Sequence, residues 1–239
     1  MRWIKLWENF KNEKEKFEID LEVINKGDKR GWDAVNNILT KSNITLDDCL
    51  EFISFHLIEK ELAYFDTKFE LIGSGQYGIA FQFRDKIVKI TTSEKEYNTS
   101  LKLVGKELEG VVKYHLTFQF FELPIWISVQ DKLETLSKKE RDIYTTLYYL
   151  GANDIQNPNF KYSNLDELFK ALDNRLRNPD PEDELPPYVL EKEELRKYFR
   201  KYFSLVKVLD ENGISTDDLH GENIGLRNDK LTHFDVMII

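Results

Sequence analysis

STDDLHGENIGL (Ser215–Leu226), followed closely by THFD (Thr232–Asp235), carries the densest chemistry of the chain. It holds a carboxylate at Asp218, an amide five residues on at Asn223, and a second carboxylate at Asp235. Carboxylate and amide oxygens are hard ligands of the kind magnesium uses, and Mg²⁺ takes only one or two carboxylates beside phosphate oxygens. A carboxylate left off the metal can orient a hydroxyl, and the set suits phosphoryl transfer, where catalysis is mostly positioning and charge stabilisation. The plain alternative is a polar loop between a helix and a hairpin, because Asp, Gly and Asn are common turn residues.

Upstream, FELIGSGQYGIAFQF (Phe69–Phe83) contains glycines at 73, 75 and 78. The string G-x-G-x-x-G alone is shared with dinucleotide-binding folds, which need a strand before it and a helix after it. Here Phe81–Phe83 continues as a strand, Arg84–Lys86 turns, and Ile87–Ile90 forms a second strand. A hairpin therefore flanks the glycines, and their backbone can approach phosphates closely. Lys89 lies eleven residues after Gly78, between apolar strand residues, where a lysine would otherwise read as a solvated edge charge. Ser93 and Glu96 open a helix towards Val104; they also form a plain capping box, which gives Glu96 a structural explanation.

Asp218-Leu219 with Asn223 matches the D-L-x-x-x-N core of a kinase catalytic loop, and Asp235 falls where the magnesium-binding aspartate stands. With His220 included, the string is similar to the D-L-H-x-x-N loop of aminoglycoside-phosphotransferase-like and atypical kinases. The chain from about Phe69 onward thus resembles the protein-kinase-like superfamily. The resemblance implies an α+β, two-lobed fold with a small antiparallel-sheet lobe and a reduced helical lobe. It implies ATP and Mg²⁺ as cofactors. Gly73, Ser74, Gly75, Gln76, Tyr77 and Gly78 would cover the phosphates, and Lys89 would hold the α/β pair. Glu96 would steady the lysine, with Glu94 as its competitor; Glu107 or Glu109 would need a helix running through Gly105. Backbone groups around Gln130 and Lys132 would hold adenine. Asp218 would orient the attacking hydroxyl and accept its proton, and Asn223 and Asp235 would bind magnesium. His220 stands where serine/threonine kinases commonly carry a lysine; it would either donate towards the γ-phosphate or position the loop.

Three departures narrow the resemblance. Thr216 and Asp217 replace the His-Arg pair before the catalytic aspartate, so control through an activation-loop phosphate is not expected. Val236 and Met237 follow Asp235 without the glycine of D-F-G, and the sequence stops at Ile239. These features point to minimal, bacterial effector-type kinases. The function implied is an ATP- and Mg²⁺-dependent phosphotransferase acting on a protein hydroxyl. The alternatives are a pseudokinase-type binding module, a small-molecule kinase, and nucleotidyl transfer on the same fold.

The remaining chain divides into a helical N-terminal extension (1–66), the small lobe (67–133) and the reduced large lobe (134–239). In the extension, TLDD at Thr45–Asp48 is a capping pattern, followed at helical spacing by Leu46, Cys49, Leu50, Ile53 and Leu57, with the helix carried to about Tyr64. Ile4, Trp7, Phe10 and Phe17 indicate earlier helices, and a turn is expected at Asn25–Asp28. The extension is expected to brace the small lobe or to bind a partner. Residues 111–120 and 124–133 read as strands. Residues 137–190 read as helices parted by a polar insert, with a proline-broken acidic loop at Asn178–Pro187. From Leu190, the residues Leu195, Tyr198, Phe199, Tyr202, Val206 and Leu209 share one helical face, and Asn212–Gly213 stops that helix. His56 and His115 are expected to be structural.

The formal charge of −9 over 239 residues argues against general nucleic-acid binding and against an anionic membrane surface. The single cysteine, Cys49, excludes an intramolecular disulfide and a cysteine-rich zinc site. With no apolar run of membrane-spanning length and no signal-peptide pattern, a cytoplasmic home is expected. A bacterial effector delivered into a host cell would look the same.

Overall fold

The computed structural model describes residues 28–60, 62, 68–150, 165–178, 191–235 and 237–238. The early helices expected around Ile4–Phe17, the helix end at Tyr64 and most of the acidic stretch after Asn178 lie outside the described residues. The architecture is α+β, and the chain divides into two compact units. One takes the chain up to Gly105 together with Tyr114–Lys132; the other takes Lys106–Lys113 and Leu133–Ile239.

The first unit is built on a five-stranded antiparallel sheet. Its strands are β1 (Glu70–Ser74), β2 (Gly78–Phe83), β3 (Lys86–Thr91), β4 (Tyr114–Gln119) and β5 (Trp126–Asp131), in the order β1-β2-β3-β5-β4. Helices α1 (Lys29–Lys41) and α2 (Leu46–Glu59) precede it, and α3 (Glu94–Leu103) follows β3. The start of α2 has the expected box: Thr45 accepts from the Asp48 N–H while the Asp48 carboxylate accepts from the Thr45 N–H. Strand alternation sends Ile79, Phe81, Phe83, Val88, Ile90, Ile127 and Val129 into a single core with Val35 and Leu39 of α1 and Leu50, Ile53 and Leu57 of α2. Each such side chain, fully buried, contributes roughly 1.5–3 kcal/mol. The described part of the N-terminal extension is therefore integral to the sheet's core. Cys49 is buried in the same cluster, and its burial pushes the thiol pKa well above its ordinary value.

On the opposite face lie Trp126, Ser128 and Gln130, the alternate residues of β5. There Tyr97 of α3 stacks on Trp126, and Ser100 shares a 2.9 Å hydrogen bond with Thr117. Lys89 pairs in register with Ser128 and so emerges on the face that carries α3.

The second unit combines helices α4 (Lys138–Tyr149), α5 (Leu165–Arg177) and α6 (Lys192–Glu211) with a three-stranded sheet. That sheet has the order β6 (Glu134–Thr135), β7 (Ile224–Arg227), β8 (Lys230–His233). Of the apolar face expected for α6, Leu195, Phe199, Tyr202, Val206 and Leu209 are buried and Tyr198 is half-buried, with Tyr144 of α4 stacked on Tyr202. Asn212 caps that helix, and Gly213 follows at a left-handed φ of 66°. Asn228 and Asp229 both have positive φ, the two-residue hairpin turn that matches strand twist. Residues 110–112 run beside β8: the His233 N–H donates to Gly110 O, and the Val112 N–H donates to His233 O.

Candidate functional site

Two clusters of the expected site residues form, one within each unit. In the first unit, the bend between β1 and β2 carries the glycines. The Gly75 N–H donates to Gly78 O at 2.9 Å, closing the bend, and Gly75, Gln76 and Tyr77 are exposed. Two of the three glycines leave open space where a side chain would stand, at Gly73 and Gly75. Gly78 is different: a Cβ there would lie 2.2 Å from Ile90 O, so the β2–β3 approach itself demands glycine. The Tyr77 carbonyl is held by the Thr92 N–H and hydroxyl, which ties the bend to the end of β3.

Lys89, mid-strand in β3, extends its ammonium to Glu96 of α3 at 2.9 Å, with both side chains mostly buried. Ser93 caps α3 by accepting the Glu96 N–H, while the Glu96 carboxylate goes to Lys89 rather than back to the cap. Glu94 is exposed at the first position of the helix. The helix stops at Leu103, and Gly105 has a φ of 76°, so Glu107 and Glu109 are not part of it. Gln130 and Lys132 sit at the far end of the sheet's long strands from the glycines. Gln130 is buried in β5 opposite Ile87; the Lys132 N–H donates to Asp85 O, and its ammonium donates to Gln82 at 2.8 Å. Two nearby side chains are structural: His115 and Lys86 both contact Asp131, and against burial they hold its carboxyl below the usual range.

In the second unit the β7–β8 hairpin sets the geometry. Ile224 pairs with His233, and the Phe234 N–H donates to Asn223 O, so Asn223 is brought alongside the residue preceding Asp235. The Asn223 amide nitrogen donates to the Asp218 carbonyl at 3.0 Å and to its carboxylate at 2.8 Å. With the nitrogen committed to Asp218, the amide oxygen is the atom of that side chain suited to a cation. Nδ1 of His220 accepts from the Glu222 N–H, and its Nε2 lies 3.2 Å from the Asp218 carboxylate and 3.3 Å from the Asn223 amide nitrogen. The His220 contact, with Asn223 in support, holds the Asp218 carboxyl below the ordinary carboxylate range despite partial burial.

The loop is anchored from below. Buried Tyr202 donates to Leu219 O at 2.9 Å, Thr145 accepts from the Gly221 N–H at 3.0 Å, and the Tyr148 hydroxyl donates to Asp217 O. The 3₁₀ turn Gly221–Asn223 lies directly on α4: a Cβ at Gly221 would stand 2.1 Å from Arg141 O. Sequence reading missed Arg141, Thr145 and Tyr148, because polar positions on a helix carry no signal of which loop they meet. It also missed His233, which is fully buried, with neither ring nitrogen hydrogen-bonded to the described residues. Burial pushes its pKa down to about 4, against the opposing pull of Asp235 and Asp218.

Among the described residues no three His, Cys, Asp or Glu side chains gather as a metal cage would require. Magnesium does not need one: an amide oxygen and one carboxylate, completed by phosphate oxygens and water, suit it. The donor set of Asn223 and Asp235 fits that ion. Also among the described residues, no helix is long and apolar enough to cross a membrane.

No protein-family model and no curated protein matches the sequence. Solved structures similar to the chain include a kinase domain and aminoglycoside phosphotransferases, at low identity. One is a kinase domain with 14% identity and a TM-score of 0.29, covering 68% of this chain; the chain spans 40% of that domain's length. Another is a thermostable mutant of the aminoglycoside phosphotransferase APH(4)-Ia, with 11% identity and a TM-score of 0.36, covering 78% of this chain and 70% of the other. A ternary complex of that enzyme with ADP and hygromycin B gives 12% identity and a TM-score of 0.36, covering 77% and 72%.

Proposed function

We propose that the protein is an ATP- and Mg²⁺-dependent phosphotransferase that moves the γ-phosphate to a protein hydroxyl. The observation that carries this reading is the Lys89–Glu96 ion pair beside the glycine bend: a mostly buried ammonium, held by the Glu96 carboxylate, next to open backbone. Such a lysine binds phosphate oxygens as a point charge. In this reading each residue keeps the role that the resemblance implies. Gly73–Gly78 covers the phosphates, Lys89 holds the α/β pair, and backbone around Gln130 and Lys132 receives adenine. Asn223 and Asp235 hold the magnesium, which supplies charge neutralisation on the phosphates.

Asp218 orients the acceptor hydroxyl. As the new oxygen–phosphorus bond forms and the bond to the departing ADP breaks, the hydroxyl proton passes to the Asp218 carboxylate. His220 keeps that carboxylate ionised, so it is a weak base that orients first and takes the proton late. The hydrogen bond from Asn223 fixes its rotamer, which is what positioning catalysis requires.

The test uses γ-labelled ATP with the protein itself, generic protein acceptors and aminoglycosides as separate arms. Asp218→Asn is expected to abolish transfer and leave nucleotide affinity nearly unchanged. Lys89→Ala and Asp235→Ala are expected to lower both. Undiminished turnover in either of those two would refute the assignment. Label arriving on aminoglycosides alone would replace the protein acceptor with a small molecule. Nucleotide binding with no transfer to any acceptor would make the chain a binding module.

A further inference from the structure

The first turn of α1 lies against the glycine bend, and its contacts are specific. The first four N–H groups of a helix have no partner within it. In α1 the Asp28 side chain, itself gripped by Arg30, takes the Arg30 N–H. The Asp28 N–H instead donates to Ser74 O at 3.0 Å, and the Gly31 N–H donates to Gly75 O at 3.0 Å. The Ser74 hydroxyl returns a 2.6 Å hydrogen bond to Asp28 O. The helix start and the bend thus satisfy each other's backbone.

This approach exists only because residue 31 is glycine. A Cβ there would stand 2.2 Å from Gly75 O, 2.4 Å from Gly78 N and 2.5 Å from Gly78 O, all backbone atoms that cannot swing aside. Glycine inside a helix is unfavourable compared with alanine, so α1 carries it at a cost to its own stability. Val35 and Leu39, one and two turns further on, are buried in the sheet's core and hold the helix in place.

We infer that Gly31 is a positioning residue for phosphate binding: it lets α1 set the orientation of the Gly75–Gln76 peptide. In a planar trans peptide the carbonyl and the next N–H point in opposite directions. With Gly75 O drawn to α1, the Gln76 N–H is turned away from the helix at the exposed tip of the bend. That donor is preset for an anionic oxygen before any ligand arrives. The inference rests on the phosphotransferase reading for its ligand, ATP, but not for the clamp itself.

The experiment compares the full chain with Gly31→Ala and with Val35→Ala, which thins the core packing of the same helix but keeps the Asp28 and Gly31 bonds to the bend. Freeing one backbone residue that binding must order again weakens binding by roughly ten-fold. Gly31→Ala is therefore expected to raise KM for ATP by about that factor with kcat nearly unchanged. Val35→Ala is expected to lower Tm and leave KM alone. Equal KM shifts in the two variants, or an unchanged KM in folded Gly31→Ala, would overturn the inference. If Gly31→Ala does not fold, Ser74→Ala removes only the hydroxyl bond to Asp28 and must still raise KM; no rise overturns it. Amide exchange separates the clamp from the function. Slow exchange at Asp28 and Gly31 in the ligand-free protein is required, and fast exchange there overturns the clamp. A protein with slow exchange at both amides and no affinity for ATP would leave the clamp standing and remove the phosphotransferase reading.

Discussion

Replacing His233 by leucine should remove roughly 2 kcal/mol of the stability that the protein loses in mild acid. The His233 side chain is 1% exposed, and burial lowers its pKa from the ordinary 6.5 to about 4. The groups facing it are Asp235 and Asp218, which favour the charged ring, and His220, which disfavours it; burial outweighs them. The unfolded chain binds this proton below about pH 6.5 and the folded chain only below about 4, so in between the unfolded state holds more protons. Stability therefore rises with pH across that window and falls on acidification. At 1.36 kcal/mol per unit, the window is worth about 3 kcal/mol, of which roughly 2 is lost between pH 7 and about pH 4.5. Leucine keeps the main-chain bonds of residue 233 to Gly110 and Val112 and leaves no buried ring nitrogens without partners. Urea unfolding at pH 7 and about pH 4.5, in chelator so that no cation intervenes, measures the difference for both proteins. His233→Leu should show a pH difference smaller by roughly 2 kcal/mol. The same pH difference in both proteins would refute the argument that His233 is held neutral by burial.

Three other outcomes follow from the geometry. Gly78→Ala, which sets a Cβ 2.2 Å from Ile90 O, should cost at least about 2 kcal/mol in denaturant unfolding; an unshifted midpoint would show that the strands can part there. Glu96→Gln should reduce phosphate transfer, and Glu94→Gln should not; the opposite ranking would move the lysine's partner to Glu94. His220→Ala should let the Asp218 pKa rise towards its ordinary value, because the His220 hydrogen bond is the main influence lowering it. The acid limb of the kcat–pH profile should then move to higher pH, and an unmoved limb would exclude Asp218 as the titrating group.

Much of the local structure was legible in the sequence because its causes are local. Period-two burial in β2, the capping box at Thr45, the glycine stop after α6 and the hairpin around Arg84–Asp85 each depend on residues a few positions apart. The order of the glycine bend, Lys89, Asp218, Asn223 and Asp235 was legible too, since a motif is a matter of spacing. Short-range sterics and backbone hydrogen bonding leave such segments few alternatives.

What required tertiary structure was every decision made between distant residues. Sequence left Glu96 torn between a cap and Lys89; the placement of α3 against β3 turns its carboxylate to the lysine. It gave Gly31 no role, because only the approach of α1 to Gly75 and Gly78, more than forty residues on, denies that position a side chain. It could not seat Thr145 and Tyr148 under Gly221 and Asp217, or bury His233 beside residues 110–112. Each of these contacts closes a loop through the chain, and a residue's own neighbours in sequence do not specify which remote surface it will meet.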